Sequence, residues 1–371
     1  MFTIRWLALV LPFQVLLPIL VFGQATQSPA PASRIQLALN ADEAESVLAI
    51  LDKHSVKGNV TDDDWQHLFA TEPYQQLKKR EASLHRDFTD DDFKKFVMSP
   101  ELAAKASSLR HTLDTWRQAD LEASARRVLD YLPGQAHIKA KIFPMIKPKT
   151  NSFVFETTTN PMIFLYLDQD ESAAAFENTV AHELHHIGLA SVDSQIAAKV
   201  KDLPANVRPA VDWMSAFGEG FAMLAAAGGP DVDAHATSSP ADRVRWEHDL
   251  SNFNQNLELL QDFFLDVIHQ KIKGKDQIDE RAFTFFGVQG PWYTVGYKMA
   301  VVVEKRYGRK RLIECMLDPR DLLATYNKAA AEINKSGKEN LALWSPQLMQ
   351  EISAPAASKK HSPASNNKGV S

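Results

Sequence analysis

One cysteine, Cys315, stands in a chain of 371 residues. An intramolecular disulfide is therefore impossible, and zinc sites built on two or more thiolates are excluded by count. Any metal must be held mainly by His and carboxylate. The first residues make this restriction matter. Met1 to Arg5 carries one positive charge, Trp6 to Phe22 is apolar apart from Gln14, and Gly23-Gln24-Ala25 offers small residues for cleavage. This is the pattern of a secretory signal peptide over residues 1–25. Pro12 and Pro18 interrupt the apolar run, which is short for a membrane span, so cleavage is expected and no span is left afterwards. The expected location is periplasmic or secreted. An exported chain without a disulfide must be stable through its core alone. Its composition, 45% hydrophobic and 23% charged, suits a globular protein that can bury one. Lys plus Arg total 41 against 46 Asp plus Glu, so no basic excess draws the chain to a phosphate backbone, and nucleic acid is not an expected partner.

Residues 26–34 are rich in Ser, Pro and Ala and read as a linker; residues 353–371 have almost nothing apolar to bury and read as a disordered tail. Residues 35–135 show helical spacing, as in Val47, Ile50 and Leu51, with starts at Thr61-Asp-Asp-Asp and Thr89-Asp-Asp-Asp. A helical N-terminal region is expected from Ile35 onward. From His137 to Asp168 the runs turn short and β-prone, punctuated by Pro and Asn, which predicts a small sheet. Asp168 and Glu171 are spaced as a capping box ahead of a helix from Ala173 to Ile187, ended by Gly188. Further helices are expected from Val207 to Ala227, stopped by Gly228-Gly229-Pro230, and from Ala241 to Ile272 without a break. Residues 136–345 thus form a second region. The fold class is α+β and predominantly helical, with the small sheet ahead of the helix at Ala173 and a helical C-terminal lobe. Cys315 reads as a core residue.

That helix contains Val180-Ala-His-Glu-Leu-His-His-Ile-Gly, in which His182, Glu183 and His186 form H-E-x-x-H. Imidazoles four residues apart lie about one turn apart on one face, so both can point a nitrogen at a single ion, with Glu183 close to a water there. The rival explanation is a helix of solvated histidines. A catalytic zinc takes three protein ligands and leaves one position open. The extension H-E-x-x-H-x-x-G-x-x-H fails, because positions 189 and 192 are Leu189 and Val192. Glu219, between Gly218 and Gly220 in an apolar, Ala-rich stretch, is the candidate third ligand, since an unpaired carboxylate there would be costly to bury. A structural carboxylate paired with Arg or Lys is the alternative, and Asp193, Asp212, Asp231, Asp233 and His235 are the remaining ligand candidates. The flanking glycines are expected to let this backbone approach the motif helix. His185 reads as a second-layer or solvated residue that could touch the cleft. In Gly290-Pro-Trp-Tyr-Thr-Val-Gly-Tyr, Tyr293 and Tyr297 share one helical face. Gly296 lies on that side, as if another helix or a substrate came close. Either phenol could donate to the oxyanion of a tetrahedral intermediate, or both could simply pack in a helix interface.

These residues resemble the zincin superfamily, specifically its Glu-ligand branch, the gluzincins. The order of helical region, short strands, H-E-x-x-H helix, G-E-G helix and G-P-x-Y-x-x-G-Y helix looks like a group of bacterial zinc-dependent peptidases over roughly residues 36–330. The resemblance implies a zincin-like fold and hydrolysis of peptide or protein substrates, with one Zn2+ per chain on His182, His186 and Glu219. Water activated by zinc would attack with Glu183 as general base. Thermolysin-like enzymes carry an Asp four residues beyond their Glu ligand, whereas this chain has Met223, so their orienting carboxylate is missing. Their exopeptidase relatives capture a free amine with G-A-M-E-N, which does not occur here and leans toward an endopeptidase. Two other classes compete: a zinc protein without catalysis, and a helical interaction module with a fortuitous motif. Oligomeric state is not legible.

Overall fold

The computed structural model describes residues 33–353 apart from 157, 158, 170, 288 and 338. The signal segment, most of the linker and the tail from 354 lie outside the described residues. Among those described, 17 α-helices surround one sheet of four strands, so the chain is α+β and predominantly helical.

The sheet runs β1 (Ile35–Leu39), β2 (Ile138–Met145), β3 (Phe153–Phe155) and β4 (Met162–Tyr166), in spatial order β1-β2-β4-β3. β1 corrects the expectation of helix from Ile35. Ile35, Leu37 and Leu39 are half-buried and the residues between them exposed, the period of two that a strand requires. It pairs parallel with β2, Ile35 opposite Ile138, and β2 pairs parallel with β4, Lys141 opposite Met162. β3 joins β4 antiparallel. Pro144 is tolerated because β1 ends opposite Ile142, leaving that side of β2 unpaired. The strand directly before the motif helix is therefore internal; β3 and β1 are the edges.

Helices begin at Asp62 and Asp90 where the sequence placed them, with Thr61 and Thr89 accepting the amides of Asp64 and Asp92. The motif helix spans Ala173–Ala190. Its cap is Ser172, whose hydroxyl accepts the Ala175 amide at 3.2 Å, rather than Asp168; Glu171 instead accepts the Thr179 hydroxyl. Gly188 does not end it, but sits where a Cβ would fall 2.2 Å from a Leu132 methyl, so the helix presses on the residues that lead into β2. Phe176 stacks on Trp116 at 4.2 Å and fixes the other end. The helix expected from Val207 is two, Arg208–Met214 and Gly218–Ala227, joined by a 3-10 turn at Ser215–Phe217. The long helix expected from Ala241 is likewise two, Pro240–Ser251 and Phe253–Ile268. Side-chain hydrogen bonds to carbonyls account for both interruptions: Ser215 Oγ to Asp212, and Asn252 Nδ2 to His248 at 3.2 Å.

Two large apolar clusters carry the fold. One packs the N-terminal helices, a sheet face and the inner side of the motif helix around Trp116, Ile142, Phe176 and Leu184. The other gathers the Gly218–Ala227 helix and the C-terminal helices around Phe217, Phe264, Trp292 and Trp344. Cys315 is fully buried in the second, and burial pushes its thiol up to about 11.

Candidate metal centre

The two clusters meet where the motif helix crosses the Gly218–Ala227 helix. His182 and His186 project from the first and Glu219 from the second. His182 Nε2 lies 3.1 Å from His186 Nε2 and 3.1 Å from Glu219 Oε2, and His186 Nε2 lies 3.2 Å from that oxygen. Three donor atoms thus form a nearly equilateral triangle. The edge of a tetrahedral zinc site with ligand bonds of about 2.0–2.1 Å is roughly 3.3 Å, so the donor set fits that ion. Their side chains are 14%, 25% and 19% exposed, enclosed but reachable. Asp193, Asp212, Asp231, Asp233 and His235 are not members of this group. Asp212 pairs with Arg208, Asp231 with Lys305, and His235 Nδ1 meets Ser238.

The electrostatics show what the triangle lacks. Burial disfavours a charged His186, but the adjoining Glu219 carboxylate outweighs it and pushes the pKa up to about 9. Burial works against Glu219 too, yet the two imidazoles hold its carboxyl well below the usual range. Three atoms that are all acceptors in their basic forms converge, so the pocket draws a positive charge to its centre, and a divalent cation is a better occupant than one proton. Glu183 stands half-buried beside these donor groups; burial raises its carboxyl above the ordinary range, against the pull of His182 and His186. His182 Nδ1 is buried without a hydrogen-bond partner among the described residues. His185 is buried on both ring nitrogens, which have no hydrogen-bond partner among the described residues, and burial holds its pKa well below the ordinary imidazole value.

The helix Pro291–Tyr307 supplies the third wall. A Cβ on Gly220 would fall 2.0 Å from the Tyr297 amide nitrogen, and one on Gly296 would fall 2.5 Å from the Phe217 carbonyl. The Gly pair therefore allows backbone contact between the glutamate helix and the tyrosine helix. This corrects the expectation that the glycines beside Glu219 admit the motif helix; Gly218 faces open space. The crossing separates the two tyrosines. Tyr293 lies with its ring 6.2 Å from that of His182, and its phenol is raised by burial and by the negative charge of Glu219. Tyr297 packs instead on Trp246 at 5.2 Å, with Asp233 and Asp231 as its charged neighbours. A hollow of about 740 Å³ among Asp42, His67, Arg110 and Arg117 contains none of these groups; donor chemistry, not cavity size, marks the centre.

Two histidines on one helix turn and a carboxylate from a second helix make the donor set that metal-dependent hydrolases use. The chain belongs to the family described as "Putative zinc dependent peptidase (DUF5700)", whose model matches residues 65–335. No curated protein and no solved structure matches the chain. The family description supplies zinc as the metal and a peptide as substrate. No helix among the described residues is long and apolar enough to cross a membrane.

Proposed function

We propose that the protein is an exported zinc peptidase of the gluzincin type, holding one zinc through His182, His186 and Glu219. The observation that carries this reading is the 3.1–3.2 Å triangle with its demand for positive charge. Bound zinc would lower the pKa of water toward about 7 and polarise the scissile carbonyl. Glu183, one residue from the first ligand, takes the proton from the attacking water and delivers it to the leaving amine. Tyr293, rather than Tyr297, is the donor to the developing oxyanion, because its ring lies beside that of His182 while Tyr297 packs on Trp246. Export through residues 1–25 belongs to the same reading, since zinc would then be taken up by a chain with no thiolates to compete for it beyond buried Cys315.

The test is metal content by mass spectrometry beside peptide turnover. Wild type should hold one zinc per chain and His186→Ala none. Glu183→Gln should keep the metal and lose turnover. A chain without zinc after incubation at neutral pH, or an active Glu183→Gln, would end this assignment.

A further inference from the structure

The sheet has a second face, and a second hollow lies over it. Ile142 joins the cluster that holds the motif helix, whereas Phe143 and Met145 point the other way and join Leu77, Met162 and Phe164 in a small apolar cluster. Between that cluster and the helix Asp90–Val97, the loop after β2 encloses a hollow of about 220 Å³. Its apolar walls are Leu77 and Phe93, both almost fully buried, with half-buried Phe88 and Phe153. None of the metal donors lines it. A cavity of about 150 Å³ takes benzene, so this one has room for a ring or a branched chain with a few further atoms.

The inner end of the hollow is cationic. Lys147 and Glu81 line it and are 3% and 4% exposed. The Lys147 ammonium is held by the carbonyls of Lys149 and Asn151 and by Asn151 Oδ1 at 3.4 Å, so it contributes its charge rather than a spare N–H. Glu81 takes Arg80 on one oxygen and Lys149 on the other at 3.1 Å, with Arg86 3.7 Å away. Arg80 also lies 3.8 Å over the Phe153 ring. Three cations thus share one carboxylate, and Lys147 makes a fourth close by. Burial, and after it the charge of Arg80, push Lys147 down to about 8 against the pull of Glu81 and Glu43. A guanidinium has five N–H groups and an ammonium three, so Arg80 and Lys149 keep donors beyond those given to Glu81. Asp87 and Asp92 stand at the exposed mouth, where Asp92 is already held by Thr89 and Lys95.

An apolar hollow with surplus positive charge at its closed end selects an anion with an apolar body. We propose that it is a ligand site, separate from the metal centre, for a carboxylate carried on a ring or a short branched chain. The apolar part lies against Leu77, Phe88, Phe93 and Phe153, and the carboxylate meets Lys149 and Arg80. A free acid and the last residue of a peptide both present that group. The site requires neither zinc nor peptidase activity.

Calorimetric titration of the full chain tests it. Phenylacetate should bind at least about tenfold tighter than phenylacetamide. The same preference for acetyl-Ala-Phe over its C-terminal amide assigns the occupant to a chain end; its absence assigns it to a free acid. The preference should persist in His186→Ala, which removes a metal donor, and fall to about twofold or less in Lys149→Ala, a change at an exposed position. Hydrogen exchange of residues 147–153 should slow with phenylacetate bound. No binding at about 10 mM acid, equal binding of acid and amide, a preference untouched in Lys149→Ala, or one lost in His186→Ala overturns the site.

Discussion

Replacing Gly220 by alanine would place a methyl 2.0 Å from the Tyr297 nitrogen, 2.3 Å from the Gly296 carbonyl carbon and 2.6 Å from the Tyr293 carbonyl oxygen. All three are backbone atoms, so no rotamer change relieves the clash and the two helices must part by about an ångström or more. Overpacking of this kind costs about 1–3 kcal/mol, and sometimes more. Alanine recovers at most about 1 kcal/mol in helix propensity. At Gly218, two residues earlier, nothing lies within 4 Å of the added methyl, so Gly218→Ala should be neutral or stabilising by up to about 1 kcal/mol. The two variants flank Glu219 and should differ by about 1–3 kcal/mol in stability, because the gain in helix propensity is common to both. The same displacement draws the Glu219 carboxylate away from His182 and His186, so zinc affinity should fall about 10–100-fold in Gly220→Ala alone. Urea unfolding of the zinc-free proteins and competition against a chromophoric chelator read the two effects. A Gly220→Ala protein as stable as Gly218→Ala would refute the backbone contact at this crossing.

Glu219→Ala should weaken zinc binding far more than Asp212→Ala, which breaks only an exposed pair with Arg208 at 2.7 Å; equal losses by chelator competition would remove Glu219 from the ligand set. Tyr293→Phe should lower kcat by about 10–100-fold with zinc retained, and Tyr297→Phe should leave it near wild type; steady-state kinetics that show equal effects would contradict the separation of the two phenols. Burial raises the Glu43 carboxyl to about 8 despite an amide from Ile146, with Lys147 nearby pushed down to about 8. A carboxyl raised on folding gives stability that is complete below its unfolded pKa near 4.5 and is lost as pH climbs through about 8. Wild type should therefore lose roughly 3–5 kcal/mol relative to Glu43→Gln between those limits, read by urea melts at pH 5 and pH 8; parallel pH dependences would show that Glu43 does not carry the effect.

The parts of this molecule that were legible in the sequence are those whose chemistry is local. His182, Glu183 and His186 are set by one helical turn, and the strands at β2, β3 and β4 by short β-prone runs between Pro and Asn. Glu219 was legible more weakly, as a carboxylate in apolar surroundings, but the partner of Gly220 was not, because the Tyr helix lies some seventy residues further on. β1 escaped for the same reason. Its five residues alternate correctly, yet what makes them a strand is β2, about a hundred residues away. The breaks at Ser215 and Asn252 depend on single side-chain bonds to carbonyls that no periodicity reveals.

The wiring of the sheet also dictates an order of assembly. Ile35 must find Ile138 after the whole set of intervening helices has been made, and closing so long a loop is slow compared with forming local helices. The helices between Asp42 and Leu129 can form from near neighbours alone, whereas β2 is completed only when both the start of the chain and β4 have joined it. The motif helix follows β4 and presses on the residues just before β2 through Gly188. Pulsed hydrogen exchange should find the amides of β1 and β2 protected after those of the N-terminal helices; the reverse order would rule this out.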